Sequence, residues 1–186
     1  PPLIPNSPAP DQAYYDVLVA GSGGAGLSLA LYLADTYKVA VLAKFELTEC
    51  STYYAQGGIS AVYDDEHDSI ESHIEDTLIA GAGLCDPEIV RLTVQHGRES
   101  IEWLRKQGVN FTEERKFDGT KQLHLNREGG HSHRRIVHSD DATGKAVSLS
   151  LIDRAKAHPN ISLLSFHNMV ELITAEKVGQ DSNRIL

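Results

Sequence analysis

The apolar residues of the chain form three short continuous runs, separated by stretches that repeat at helical spacing. The runs at 17–20, 39–43 and 161–166 have the length and continuity of buried parallel strands. Apolar residues recur every three or four positions over 27–34 and 146–155, which predicts a helix in each stretch. The order strand, helix, strand, insertion, helix, strand is typical of half of a parallel α/β sheet with a large insertion.

The insertion is predicted to be mainly helical. Apolar spacing predicts a helix over 69–81, and an Asp-Pro pair followed by apolar repeats predicts one continuous helix over 86–108. Two short strands joined by an Asp-Gly turn are predicted over 109–112 and 122–125. We also expect a strand over 170–175.

A glycine-rich turn, GSGGAG at residues 21–26, lies between the first predicted strand and the first helix. Gly21 permits a tight turn, Gly23 lets the backbone approach a pyrophosphate, and Gly26 lets the helix pack closely on the strand. The order strand, turn, helix favours the phosphate-binding turn of a dinucleotide fold over a purely structural turn. The second strand ends on Lys44 instead of the acidic residue typical of NAD sites, which counts against a simple NAD dehydrogenase.

The segment 45–60 is polar, rich in hydroxyl groups and long for a simple connection. One interpretation is that the hydroxyls at 51–52 and the glycine amides at 57–58 wrap the polar edge of a cofactor, while the tyrosines at 53–54 supply flat surfaces. The other is that these residues only form turns and that the tyrosines pack in the core. The residues alone leave both interpretations open.

A dense polar cluster follows, since four of the nine histidines and three arginines lie between 124 and 138. Such density is not expected in a core. A metal site is disfavoured, because no cysteine and no helical histidine pair supports its possible ligands, which are His131, His133 and His138. A solvated basic loop is a second possibility. We prefer an anion- and substrate-handling loop, in which a Gly-Gly turn presents Glu128 beside His131 and arginines, groups suited to an amino acid or a dicarboxylate.

Composition narrows the functional classes. The chain has 186 residues, 41% of them hydrophobic, which suffices for about one domain, and a formal charge of −9 disfavours nucleic-acid binding and stable membrane association. No apolar run approaches the roughly 18 residues of a membrane span. With only Cys50 and Cys85, which we expect to be small buried residues and not reactive thiols, a cytoplasmic location is expected.

The two ends of the chain suggest a larger protein. Five of the first ten residues are proline, so residues 1–15 are expected to be a disordered leader, with the domain beginning at residue 16. Residues 184–186 begin an apolar run that has no end. We therefore expect the chain to be truncated.

Three further motifs identify a family. Residues 51–58 (STYYAQGG), 73–83 (HIEDTLIAGAG) and 127–135 (REGGHSHRR) resemble the L-aspartate oxidase family of the succinate dehydrogenase and fumarate reductase flavoprotein superfamily, and the resemblance covers 16–186. It implies a Rossmann-like α/β FAD-binding domain with a helical insertion, incomplete at the C-terminus. It also implies oxidation of L-aspartate to iminoaspartate on FAD, with oxygen or fumarate reoxidising the flavin, in NAD biosynthesis through quinolinate, and quinolinate synthase as a possible partner.

The resemblance also implies roles for particular residues. The glycine-rich turn would bind the FAD pyrophosphate, Lys44 and the pair 168–169 the adenosine half, and 51–58 the flavin and ribityl chain. The implied cofactor residues are Gly21, Ser22, Gly23, Gly24, Ala25, Gly26, Lys44, Ser51, Thr52, Tyr53, Tyr54, Ala55, Gln56, Gly57, Gly58, Asn168 and Met169. Glu128 would orient the substrate by meeting its ammonium group. His131 is a candidate catalytic residue from its place beside Glu128 in the polar loop and not from the resemblance.

Ser51 aligns with the histidine that carries flavin covalently in some relatives, so non-covalent FAD is implied. The proton-transferring arginine of the family lies beyond Leu186, so we expect this chain alone to be inactive. Two alternatives remain. A dicarboxylate dehydrogenase or fumarate reductase is disfavoured by Ser51 and Glu128, and a non-catalytic nucleotide-binding module would explain a chain without the catalytic arginine.

Overall fold

The computed structural model describes residues 14–140, 142–180 and 185, and the chain divides into two compact units. The first unit contains residues 1–49 and 155–186, and the second contains 50–154. The strands are β1 (Val17–Ala20), β2 (Val39–Leu42), β3 (Ile59–Ser60), β4 (Glu113–Arg115), β5 (Lys121–Leu123), β6 (Leu125–Asn126), β7 (Ile136–Val137) and β8 (Ile161–Leu164). The helices are α1 (Gly24–Leu33), α2 (Ser51–Tyr54), α3 (Ile70–Ala80), α4 (Pro87–Gln95), α5 (Gly97–Lys106) and α6 (Thr143–Ala157).

The first unit is built on a parallel sheet in the order β1-β2-β8. In its register Val17 faces Val39, and Val39 faces Ile161. Val39 and the next two residues are fully buried, and α1 buries Leu27 and Ala30. This arrangement confirms the predicted order of strand, helix, strand, insertion, helix and strand. The strands could be recognised in the sequence because strands buried on both faces are continuous apolar runs.

The predicted strand over 170–175 is wrong. Among the described residues of this segment, only Thr174 makes a sheet-like pair, with Ile185. Val170 is 91% exposed, and Leu172 and Ile173 are also exposed. An apolar run forms a strand only where a neighbouring strand satisfies its backbone groups, and the sequence pattern does not contain that information.

The second unit combines helices with small antiparallel sheets, β3-β7-β6 and the hairpin β4-β5. The predicted helix over 69–81 is confirmed as α3, since the Ser69 side chain caps it by accepting from the Ser72 amide. Asp86 likewise begins α4 by accepting from the amides of Glu88 and Ile89. None of the helices in the described ranges is long and apolar enough to cross a bilayer.

The predicted continuous helix over 86–108 is wrong, because the chain breaks between α4 and α5 at His96. There φ is −95° and ψ is 4°, and His96 Nδ1 donates to the Leu92 carbonyl at 2.8 Å. A Cβ at Gly97 would lie 3.3 Å from the Ala61 side chain, so the break brings the second helix close to that segment. The buried Val94 and Ile101 are seven positions apart, a spacing that one helix or two would show equally.

The hairpin forms at a different register from the predicted one. The turn is confirmed, with Gly119 at φ 83° and its amide bonded to the Lys116 carbonyl. The first strand is β4, which replaces the predicted 109–112, and the second predicted strand is divided into β5 and β6 at His124. Since a hairpin's register follows its turn, the paired residues are those that flank Asp118-Gly119 and not the more apolar residues before them.

Candidate functional site

The glycine-rich turn of the first unit requires glycine at two positions. Gly21 has φ 120°, a conformation that L side chains rarely adopt. A Cβ on Gly26 would lie 2.1 Å from the Gly21 carbonyl oxygen, so the first turn of α1 packs directly on the turn that precedes it. Both requirements are those of a dinucleotide-binding turn.

The start of α1 is suited to an anion. The helix begins at Gly24, its first turn carries no acidic residue, and within the described residues no side chain caps it at Gly23. Backbone amides at a helix start, with the positive end of the helix dipole, attract phosphate. The Ser22 hydroxyl is buried and donates to the Leu47 carbonyl at 2.9 Å, so Ser22 would meet a phosphate through its amide.

The residues predicted to contact adenosine lie near the same edge of the sheet. Parallel strands share their carboxyl ends, and Lys44 follows β2 there, where it is exposed. The chain after β8 lies beside it, since the His167 amide donates to the Ala43 carbonyl at 3.0 Å. Asn168 and Met169 follow directly and are exposed. Ligands of open α/β sheets bind outside this edge, so the first unit presents these residues where a dinucleotide would be expected to bind.

In the second unit, 51–58 begins with the short helix α2. A Cβ on Gly144 would lie 1.9 Å from the Thr52 carbonyl, and the Gly144 amide donates to the Ala55 carbonyl at 3.0 Å, so α2 packs on the start of α6. The Tyr53 and Tyr54 rings meet edge to face at 5.4 Å. All four residues of α2 are exposed or half-buried, so the tyrosines are not core residues.

Glu128 lies beside the glycines of this segment. A Cβ on Gly57 would be 3.6 Å from one carboxylate oxygen of Glu128 and 4.0 Å from the other. Gly58 packs tightly on β7, because a Cβ there would lie 2.3 Å from the Val137 carbonyl. The second unit therefore brings the predicted flavin segment and the predicted substrate residue together. Glu128 is exposed, so its carboxylate is accessible to a ligand.

The polar cluster is not a uniform surface loop, because Arg135 is fully buried. Its Nε and Nη2 donate to the two Asp68 oxygens at 2.8 and 2.7 Å, and its Nη1 donates to Asp76 at 2.9 Å. The expectation that this cluster avoids the core is therefore wrong for Arg135. A buried arginine is tolerated because two carboxylates neutralise and hydrogen-bond it.

Asp76 also holds the loop. Its Oδ2 accepts from the Ser132 amide at 2.7 Å and its Oδ1 from the Ser132 hydroxyl at 2.6 Å. Burial alone would raise the pKa of Asp76, but the hydrogen bonds from Ser132 and the charge of Arg135 outweigh it and hold the pKa below its usual value. Asp76 thus stays ionised at neutral pH.

The three histidines considered as metal ligands point to different partners. His133 Nδ1 lies 3.1 Å from Arg135 Nη2, and His138 Nε2 lies 2.9 Å from His124 Nδ1. His131 packs its ring 5.7 Å from that of His73. In the ranges that the structure describes, no group of three metal-binding side chains comes together.

His73 was not among the site residues predicted from sequence. It is 4% exposed, and burial, then Arg135 and His131, lowers its pKa to about 4. For the described part of the chain, neither His73 Nδ1 nor His131 Nδ1 has a hydrogen-bond partner. Two sequence signals concerned His73: it opens the motif at 73–83, and it lies between apolar residues on one face of α3, a place that an ordinary core residue would also occupy.

A family model described as FAD binding domain matches residues 16–183. L-aspartate oxidase from Pseudomonas aeruginosa is 55% identical over 175 residues, which cover 92% of this chain and 32% of that protein. L-aspartate oxidase from Vibrio cholerae is 55% identical over 172 residues, with the same coverage of 92% and 32%. The chain thus spans about a third of the length of these curated relatives.

Among solved structures, a quinol fumarate reductase from E. coli superposes with a TM-score of 0.76 at 29% sequence identity. The superposition covers 86% of this chain and 27% of the fumarate reductase chain.

Proposed function

Because the chain belongs to the FAD binding domain family, within the succinate dehydrogenase and fumarate reductase flavoprotein superfamily, we propose that it is the cofactor-binding part of an L-aspartate oxidase. The curated relatives that bear this name are the basis for the choice within the superfamily. The observation on the molecule that supports it is the Glu128 carboxylate beside Gly57. A carboxylate next to the flavin segment suits a substrate with an ammonium group.

The chain offers suitable groups for FAD in each unit. In the first, residues 22–25 would bind the pyrophosphate, and Lys44 with 168–169 would contact the adenosine half. In the second, 51–58 would follow the flavin and ribityl chain. The acid-free start of α1 and the close packing at Gly26 support this assignment. Ser51 has no nucleophilic nitrogen for a flavin bond, so the binding is non-covalent.

The proposed reaction converts L-aspartate to iminoaspartate by loss of the α-hydrogen with its electron pair, as a hydride, and of one proton from the ammonium group. Bound FAD would supply the two-electron acceptor, with oxygen or fumarate as the final acceptor. Glu128 would hold the substrate ammonium group, the group that separates aspartate from succinate. His131, whose amide donates to the Glu128 carbonyl at 3.2 Å, would fix the turn that carries this carboxylate.

The setting of the reaction is part of the same proposal. Synthesis of quinolinate for NAD would consume iminoaspartate, with quinolinate synthase as the partner enzyme. A cytoplasmic site of action is compatible with Cys50 and Cys85, which are both free thiols in the described residues.

Flavin reduction in the complete protein tests this function. Under anaerobic conditions, L-aspartate and succinate are added separately and the flavin absorbance is followed. Bleaching by aspartate alone is the expected result. Bleaching by succinate alone would assign the protein to the dicarboxylate dehydrogenases, a second candidate that the likeness to a fumarate reductase favours. A purified protein without flavin would contradict both.

A further inference from the structure

Residues 127–133, which carry Glu128, are called the substrate loop below. The loop is fastened to α3 through Ser132. Both polar groups of Ser132, the amide and the hydroxyl, donate to the Asp76 carboxylate, at 2.7 and 2.6 Å. Charge-assisted hydrogen bonds of this length are stronger than those between neutral groups. The contact therefore fixes one end of the loop.

Asp76 is itself held in place by Arg135. Its side chain is 11% exposed and pairs with Arg135 at 2.9 Å. Arg135 is fully buried and is held by the bidentate pair with Asp68. Arg135 also lies two positions after the end of the substrate loop, so its buried side chain anchors the chain that leaves the loop. The Asp76 carboxylate thus has a fixed position against which the loop is set.

A tight turn transmits that position to Glu128. The His131 amide donates to the Glu128 carbonyl at 3.2 Å, and Gly130, between them, has φ 83°. This turn leaves few ways to move Ser132 without moving Glu128. The Glu128 carboxylate then lies beside Gly57, within 3.6 Å of where a Cβ would stand.

We propose that Ser132 and Asp76 are positioning residues for Glu128, which set its carboxylate at the place where the substrate ammonium group binds. The proposal rests on the assignment of Glu128 as the ammonium ligand. Positioning of this kind affects amino-acid substrates, because only these carry the group that Glu128 meets. A dicarboxylate without an ammonium group does not make the contact with Glu128.

The first test measures the mobility of the substrate loop and does not depend on enzyme activity. Ser132→Ala removes the hydroxyl and keeps the partners of Arg135, so the fold is retained. In the FAD-loaded complete protein, amide hydrogen exchange over 127–133 is expected to become about fivefold faster, as the loss of one hydrogen bond predicts. Ser150→Ala is the matched control, because it removes a hydroxyl of α6 that makes one hydrogen bond, to the Gly108 carbonyl outside the loop. Equal exchange in the two variants would overturn the proposal.

The second test asks whether Ser132 acts through Glu128. Ser132→Ala is expected to raise KM for L-aspartate about fivefold with kcat within about twofold of wild type. In a Glu128→Gln background the same change is expected to have no further effect on that KM, because the group being positioned has lost its charge. The KM for fumarate is expected to change less than the KM for L-aspartate in Ser132→Ala, because fumarate has no ammonium group.

The outcomes separate the two proposals. If the wild-type protein oxidises L-aspartate but Ser132→Ala raises KM equally with and without Glu128, only the positioning role is overturned. If the wild-type protein does not oxidise L-aspartate, the proposed function is wrong and the positioning role falls with it.

Discussion

Arg135 and Asp68 form a bidentate ion pair, with Nε to Oδ2 at 2.8 Å and Nη2 to Oδ1 at 2.7 Å. The Arg135 side chain is fully buried and that of Asp68 is 2% exposed. Because a buried charge is costly unless it is paired, the pair fixes the chain after the substrate loop to the segment before α3. A group of residues that resembles a basic surface loop in sequence is thus anchored in the interior.

Replacing Asp68 tests the cost of this pair. Asp68→Asn is expected to lower the free energy of unfolding by about 3–5 kcal/mol, because it leaves the buried Arg135 with one carboxylate partner. The control is Asp65→Asn, since Asp65 pairs with Arg98 at 3.2 Å with a 74% exposed side chain. The control is expected to change stability by less than about 1 kcal/mol. Urea denaturation of both variants measures the difference, and similar losses would contradict the prediction.

His73 is expected to make the protein sensitive to acid. Its pKa in the folded state is lowered to about 4 from 6.5, first by burial. Between these pH values the unfolded chain binds the proton and the folded chain does not, so stability is full above pH 6.5 and falls as the pH decreases toward 4. The shift corresponds to about 3 kcal/mol over the window.

Thermal unfolding between pH 7 and 4 measures this effect. His73→Gln is expected to flatten the pH dependence, because an amide does not titrate. His67→Gln is the control, since that imidazole is 76% exposed and contacts only Asp64 in the described ion pairs. If His73→Gln keeps the wild-type slope, the acid sensitivity comes from other groups.

Sequence alone predicted much of the first unit, for a physical reason. Strands β1, β2 and β8 are buried on both faces and appear as continuous apolar runs, and the glycine turn depends on backbone geometry that only glycine permits. The two helices α4 and α5 were merged because apolar periodicity is local. The periodicity of one segment gives no information on the close approach of Gly97 to Ala61, a residue of a different segment.

The parts of the site likewise differ in whether they depend on one contiguous segment or on contacts between residues that are distant in sequence. The phosphate turn is one contiguous segment, so its residues could be named from sequence. The burial of Arg135 depends on Asp68 and Asp76, which precede it by 67 and 59 positions, and no spacing rule joins residues so far apart. The proximity of Glu128 to Gly57 was likewise a matter of tertiary structure. The motifs suggested both residues, but not that they are neighbours.

Gly26 is expected to tolerate no side chain. In Gly26→Ala the new Cβ would lie 2.1 Å from the Gly21 carbonyl oxygen, a backbone atom that cannot rotate away. The start of α1 would have to separate from β1, at a cost of about 3 kcal/mol, and FAD retention would be lost with it. Gly129→Ala is the control, because a Cβ there meets no atom within 4 Å. Thermal unfolding and the flavin content after gel filtration measure both effects, and full FAD occupancy in Gly26→Ala would refute the placement of the pyrophosphate.

Gly144 tests the flavin segment of the second unit separately. A Cβ at this position would lie 1.9 Å from the Thr52 carbonyl and 2.6 Å from that of Ala55, so Gly144→Ala must displace α2 from the start of α6. If 51–58 follows the flavin, the displacement weakens FAD binding about tenfold and shifts the flavin absorption spectrum. Ser150→Ala, on the same helix, is the control that is expected to keep both properties. Fluorescence titration of the apoprotein with FAD measures the affinity. A variant that is destabilised but binds FAD with unchanged affinity and spectrum would show that α2 does not contact the cofactor, and would leave the first unit as the main binding site.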